Sequence, residues 1–221
     1  MLLAADGTAA QLAEVRSLCM AEGGGGRVET MQVDLAHPDG PGTMIDAADR
    51  LFGRVDVLVN NAAARAAVPF GAFTREQFDH VVSVNLAAPF FASQAVLPLM
   101  RRQGGGRIIH IASQLGHVAA QGRALYGLTK AAIIHLAQSM ALELAREGIV
   151  VNAISPGPVA TPAVVGNRSE AELATRFAPC LPCGRMGQPE EIAELALFLA
   201  AAAPAFLQGQ DVIIDGGYTL H

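Results

Sequence analysis

A chain of 221 residues with 52% hydrophobic and 16% charged content has ample material for a core. No Ser/Pro-rich linker or charge block divides it, so a single domain over residues 1–221 is expected. A net charge of −5, with neither a Lys/Arg stripe nor interleaved aromatics, disfavours a nucleic-acid partner. Apolar runs are broken by Gly, Pro or charge before about 18 residues and the start is too short for a signal peptide, which predicts a cytoplasmic protein with no membrane partner.

Short β-like runs at 2–6, 27–34, 55–60, 107–113, 150–155 and 211–215 alternate with helical patterns near 8–22, 40–52, 74–102, 125–147 and 188–202. That alternation is the mark of βαβ units, hence an α/β fold with a doubly wound parallel sheet and helices on both faces. Asn60-Asn61-Ala62-Ala63 ends the third run, at the carboxyl edge where ligands sit in such sheets. Asn85 lies inside an apolar helical stretch, where a buried amide must find partners.

The fourth run delivers Ser113, and Tyr126-Gly127-Leu128-Thr129-Lys130 opens the next helix. Tyr126 and Lys130, four apart, share one helix face. A phenol with a reference pKa of about 10 needs a nearby positive charge to shuttle protons at neutral pH, and Lys130 can supply it. Ser113 can hold the oxygen of a carbonyl or alcohol while Tyr126 gives or takes its proton. Lys130 is the only lysine among 15 basic residues, so this position has kept an ammonium where guanidinium is no equivalent.

Ser113, Tyr126 and Lys130 at these spacings resemble the catalytic set of the short-chain dehydrogenase/reductase family, and the resemblance runs from Leu2 to Gly217. It implies a Rossmann-type fold, NAD(P)-dependent chemistry on CH–OH groups and a homo-oligomer, dimer or tetramer. It also implies Asn85 as a fourth catalytic residue, holding a water that links Lys130 to solvent. Asp34-Leu35 resembles the pair that contacts adenine, though Asp34 equally suits a turn cap. Asn61, Ala62 and Ala63 resemble the Asn-Ala-Gly cofactor loop, with Ala63 in place of glycine and tolerable if its φ is negative. Pro156, Gly157, Val159 and Thr161 resemble the nicotinamide platform. Asp6 stands where an acid binds adenosine ribose hydroxyls and repels a 2′-phosphate, favouring NAD over NADP; an ordinary helix cap is the other reading.

The family opens with a strand and a T-G-x-x-x-G-x-G turn that holds the pyrophosphate, and neither precedes Leu2. The absent strand is the central one, between the first run here and the run 55–60, and its loss leaves unpaired backbone and an apolar slot. A further N-terminal segment in the biological protein, a short variant that closes the gap differently, and a non-catalytic remnant are the three readings. The intact later motifs favour the first.

The helix 125–147 is apolar nearly all round and is expected to pack on the sheet and against a partner subunit. Residues 163–186 form an irregular segment that resembles the family's substrate lid. Cys180-Leu181-Pro182-Cys183 lacks a second Cys/His pair and reads as loop thiols, His117 as a rim or surface residue, and no metal centre is expected. The sum is hydride transfer between NAD(H) and a small sugar acid or polyol. A 3-oxoacyl thioester reductase and a catalytically silent binding protein are the alternatives.

Overall fold

The computed structural model describes residues 2–5, 8–21, 26–166 and 169–220. Its strands are β1 (Leu2–Ala5), β2 (Glu29–Gln32), β3 (Val57–Asn60), β4 (Gly106–Ile111), β5 (Ile149–Pro156) and β6 (Asp211–Ile214). All pairs are parallel, and β3-β4-β5-β6 form one sheet with Ile108 opposite Val151 and Ile154 opposite Val212. β5 is buried at seven consecutive positions, as a strand covered on both faces must be.

Helices α1 (Ala9–Ala21), α2 (Gly40–Phe52), α3 (Arg75–Val82), α4 (Ala88–Arg102), α5 (Ala124–Leu144), α6 (Pro162–Val165), α7 (Glu170–Phe177) and α8 (Pro189–Leu197) supply the outer layers. On one face Val96 and Met100 of α4 and Ile133 and Ala137 of α5 pack on Ile108 and Val151. On the other, Leu199 and Ala203 meet Ile109 and Ile154. Each fully buried Ile or Val contributes roughly 1.5–3 kcal/mol, so the four-stranded half carries most of the core.

The expected helix over 74–102 is broken by a π-helical turn, Ser83–Ala87. It opens with a reciprocal cap between Thr74 and Gln77. Arg75–Arg102 is long and apolar enough to cross a membrane by length and composition; here Val96, Leu99 and Met100 are buried in the core. The segment expected to be irregular contains α7, which Ser169 and Glu172 cap reciprocally: the Ser169 N–H donates to the Glu172 carboxylate at 2.7 Å and the Glu172 N–H to the Ser169 hydroxyl at 3.3 Å. Ser-x-x-Glu is a helix-start pattern, and it outweighs the loop-like composition around it.

β1 pairs only with β2, and among the described residues no ladder joins β1 to β3. Between them lies a cavity of about 1140 Å3 lined by Ala5, Met44, Ile45, Val57, Leu58 and Asn60, among others. This is the expected apolar slot, with no strand between β1 and β3 among the described residues.

Candidate active site

Ser113 follows β4 in extended conformation, φ −172°. Its hydroxyl donates to Gln114 Oε1 at 2.9 Å and accepts from the Leu115 N–H at 3.2 Å, which fixes its rotamer. Tyr126 sits in the first turn of α5. Two glycines bring that turn and the Ser113 loop together: a Cβ on Gly127 would lie 2.7 Å from the Leu115 carbonyl oxygen, and one on Gly116 would lie 2.7 Å from Ile134 Cδ1. Real Cβ contacts are not that short, so only glycine permits this approach.

Lys130, one turn on, is 3% exposed. Its Nζ donates to the Ile111 carbonyl at 2.6 Å and lies 5.6 Å from the Tyr126 ring centre. Burial first, and the Arg65 guanidinium second, push its pKa down to about 8. Burial raises the Tyr126 phenol above its ordinary value, while Arg65, the Ser113 hydroxyl and Arg123 act in the opposite sense. Arg65 thus adds a second cation beside the phenol, while the Lys130 ammonium donates to the Ile111 carbonyl.

Ser113, Tyr126 and Lys130 line one cleft of about 780 Å3 with Pro156, Gly157 and Thr161. The Gly157 N–H donates to Ile214 O at 2.9 Å, and a Cβ there would meet Asp215 Cα at 2.6 Å, so the segment leaving β5 presses against the end of β6. The Thr161 hydroxyl is buried with no partner among the described residues. An unpaired hydroxyl costs desolvation free energy that a ligand's polar group would recover.

Asn85 occupies the π turn, 1% exposed, and such turns occur often at functional sites. Its Oδ1 accepts from the Ala64 N–H at 2.7 Å, while its Nδ2 donates to the Ala64 carbonyl at 3.0 Å and to Thr129 Oγ1 at 3.1 Å. The amide thus clamps the loop after β3 to α5.

The profile described as enoyl-(acyl carrier protein) reductase matches residues 2–219. Gluconate 5-dehydrogenase of Gluconobacter oxydans is 34% identical over 199 residues, 90% of this chain and 78% of that one. The chain belongs to the short-chain dehydrogenase/reductase family. Another relative, the 3-oxoacyl-acyl-carrier-protein reductase of Thermotoga maritima, is 34% identical over 200 residues, 90% of this chain and 80% of that one. Among solved structures, a gluconate 5-dehydrogenase from Burkholderia cenocepacia in complex with NADP and tartrate superposes with a TM-score of 0.89 at 31% identity, covering 100% of this chain and 85% of its own. A short-chain dehydrogenase/reductase from Mycobacterium marinum gives 0.89 at 35% identity, with the same coverages.

As an oxidoreductase of this type, the chain brings Ser113, Tyr126 and Lys130 to one place. Asn61 and Ala63 line both the catalytic cleft and the slot, and Ala62 lines the slot. No non-glycine residue described has a positive φ, so Ala63 replaces glycine without strain. Asp34 and Leu35 line the slot, but the Asp34 carboxylate accepts the Ala36 N–H at 2.8 Å, the turn-capping role. Val159 bridges to Gly187. Asp6 lies outside the described residues.

His117 hydrogen-bonds Asp211 at 2.5 Å, and Asp211 also accepts from Ser155 at 2.8 Å; the group ties the Ser113 loop to β6. Cys180 and Cys183 are exposed free thiols. Arg65, Arg123 and Gln114 are cleft residues that sequence reasoning passed over. A lone charge in Ala62-Ala63-Ala64-Arg65-Ala66-Ala67, just past a strand's carboxyl end, was the available signal for the first.

Proposed function

We propose that this chain is an NAD(P)-dependent oxidoreductase that interconverts a secondary alcohol and its ketone on a small sugar acid or polyol. The convergence of Ser113, Tyr126 and Lys130 on one cleft at the carboxyl ends of β4 and β5 carries this reading. The unpaired Thr161 hydroxyl and the glycine-narrowed platform at Gly157 fit the nicotinamide end of a dinucleotide, with Pro156 and Val159 beside them. Tyr126 and Lys130 would hold its ribose. A nicotinamide bound there would supply the hydride donor or acceptor for the substrate carbon.

Ser113 holds the substrate oxygen. In oxidation the Tyr126 phenolate would take the substrate hydroxyl's proton as the carbon becomes a ketone, a bound oxidised cofactor supplying the hydride acceptor; in reduction the Tyr126 phenol would return the proton. Asn85 fixes the loop that carries Arg65, and it anchors a water relay from Lys130 to solvent. The preference for NAD rested on Asp6 alone, and two structural neighbours hold NADP, so both cofactors belong in the assay.

Phe90 and Phe91 of α4 and Leu128 and Leu142 of α5 remain exposed, and their burial in a dimer or tetramer follows from the cost of apolar surface in water; light scattering gives the mass. The segment containing α6 and α7 is the proposed substrate lid. A 3-oxoacyl thioester reductase is the second reading, supported by the Thermotoga relative.

The deciding assay follows nicotinamide absorbance with NAD and NADP across polyols, aldonates and a 3-oxoacyl thioester. Tyr126→Phe should lose at least about 100-fold in kcat. Turnover by that variant at the parent rate ends this mechanism. Failure of the parent to bind either dinucleotide would make it a catalytically silent member.

A further inference from the structure

Arg65, in the loop leaving β3, and Arg123, immediately before α5, both line the cleft wall around the Tyr126 phenol. Several arginines elsewhere hold acids, as in Arg101–Glu147 at 2.5 Å and Arg185–Glu191 at 2.7 Å, and the part-buried Arg107 donates to the Leu199 and Ala203 carbonyls. Among the described residues Arg65 and Arg123 form no ion pair. With Lys130 they place three cations in one cleft that, among the described residues, no Asp or Glu lines, in a chain whose net charge is −5.

Like charges gathered without an acid repel one another; burial is the larger cause of the lowered Lys130 pKa, and the Arg65 charge adds to it. Such a cluster is relieved by a bound anion. The side-chain amides of Gln114 and Gln121 share the wall and can donate to or accept from hydroxyls. We propose that Arg65 and Arg123 together form an oxyanion clamp that seats the carboxylate of a polyhydroxy acid, so that the acid, and not the neutral polyol or the thioester, is the substrate class.

A guanidinium presents two parallel N–H groups to a carboxylate, whereas a neutral polyol offers either arginine only single hydroxyl acceptors and no charge. The position of Arg65 beside the phenol puts the bound anion next to the reacting carbon. A phosphate could satisfy the same donors, and a phosphorylated polyol therefore enters the test as a separate arm. The clamp rests on the oxidoreductase reading for its catalytic consequence, but not for its binding one.

The test uses the full chain, with D-gluconate, D-glucitol, glucitol 6-phosphate and acetoacetyl thioester as probes, and Arg65→Met, Arg123→Met and Arg65→Lys as variants. The parent should favour gluconate. Each Met variant should lower kcat/KM for gluconate about 10- to 100-fold more than for glucitol, the excess lying in KM, whatever effect common to both substrates follows from the charge lost beside the Tyr126 phenol, and keep the cofactor Kd within about 2-fold; Arg65→Lys should recover part of the excess.

Equal losses on gluconate and glucitol, a weakened cofactor Kd, or a stronger response of glucitol 6-phosphate than of gluconate would overturn the carboxylate clamp. If no alcohol or ketone is turned over, the oxidoreductase reading fails separately. Calorimetric binding of gluconate, lost in Arg123→Met, then decides the clamp alone: retained binding in that variant, or none in the parent, rejects it.

Discussion

Lys130 is held where charge is unwelcome, and the cost is legible in its proton affinity. Its pKa falls from 10.5 to about 8; a lowered value means that the unfolded chain binds the proton more tightly. The associated stability is intact above about 10.5, is lost as pH falls towards 8, and at pH 7 the full penalty of about 3 kcal/mol stands. Lys130→Met should therefore raise the melting temperature by roughly 6–12 °C while abolishing turnover; a lower melting temperature contradicts this account. His110, fully buried beneath the site, follows the same sign. Burial first and the Lys130 charge second lower its pKa from 6.5 to about 4, and its Nε2 has no partner among the described residues. Its stability contribution is present above pH 6.5 and is lost by pH 4. Unfolding at pH 7 and pH 5 should show a drop of about 2 kcal/mol that His110→Asn largely removes. At Tyr126 the sign concerns rate. Arg65 opposes the rise that burial imposes on the phenol, and oxidation needs phenolate, so Arg65→Met should shift the alkaline-rising limb of the rate profile to higher pH. An unmoved limb would mean that some other group titrates.

At the scale of elements, the alternation of strand and helix was legible because buried parallel strands are apolar runs and surface helices are amphipathic. The interruptions were not. The π turns Ser83–Ala87 and Phe198–Ala202 each keep a helical composition, and nothing in residue spacing announces an extra residue in a turn. Asn85 stood out as a buried amide, but its clamp on Ala64 required the loop after β3 to be in place. Spacing made Ser113, Tyr126 and Lys130 legible for a related reason: two of them share a helix face, and the third ends a strand. Arg65 and Arg123, 58 positions apart in sequence numbering, meet only through the packing of α5 on the sheet. That packing hangs on Gly116 and Gly127. Gly127→Ala forces its Cβ onto the Leu115 carbonyl, backbone that cannot swing aside, so Ser113 must retreat from Tyr126. The expected result is a loss of at least about 10-fold in kcat with the secondary structure preserved by circular dichroism, since a misplacement near 1 Å at a reacting site costs on the order of 100-fold. Parent-like kcat would show that the close approach has no bearing on the chemistry.

For the molecule as a whole, cohesion is uneven. β4 and β5 each have strand neighbours on both sides, and Ile108, Ile149, Val151 and Ile154 are wholly buried. β3 is bonded on one side only, and its other edge faces the 1140 Å3 slot. β1 is bonded only to β2, so among the described residues no strand ladder connects this pair to the larger sheet. Opening free energy tracks such local bonding, from near zero at unpaired edges up to the global value in the core. Hydrogen exchange should consequently divide the sheet into three classes. Amides of Ile108, Ile109, Val151 and Ala153 should exchange last, with global unfolding. The amides of β1 and β2 should exchange first, through detachment of that pair without loss of the core. The amides of β3 should split, those bonded to β4 being slow and those facing the slot fast. A second prediction follows from the slot's continuity with the catalytic cleft at Asn61 and Ala63: a dinucleotide bound across both would slow β3 more than β5, because it binds only the closed arrangement and adds its binding free energy to that opening alone. Uniform protection of all six strands, with or without dinucleotide, would mean that the two sheets move as one body and that the slot does not weaken the fold.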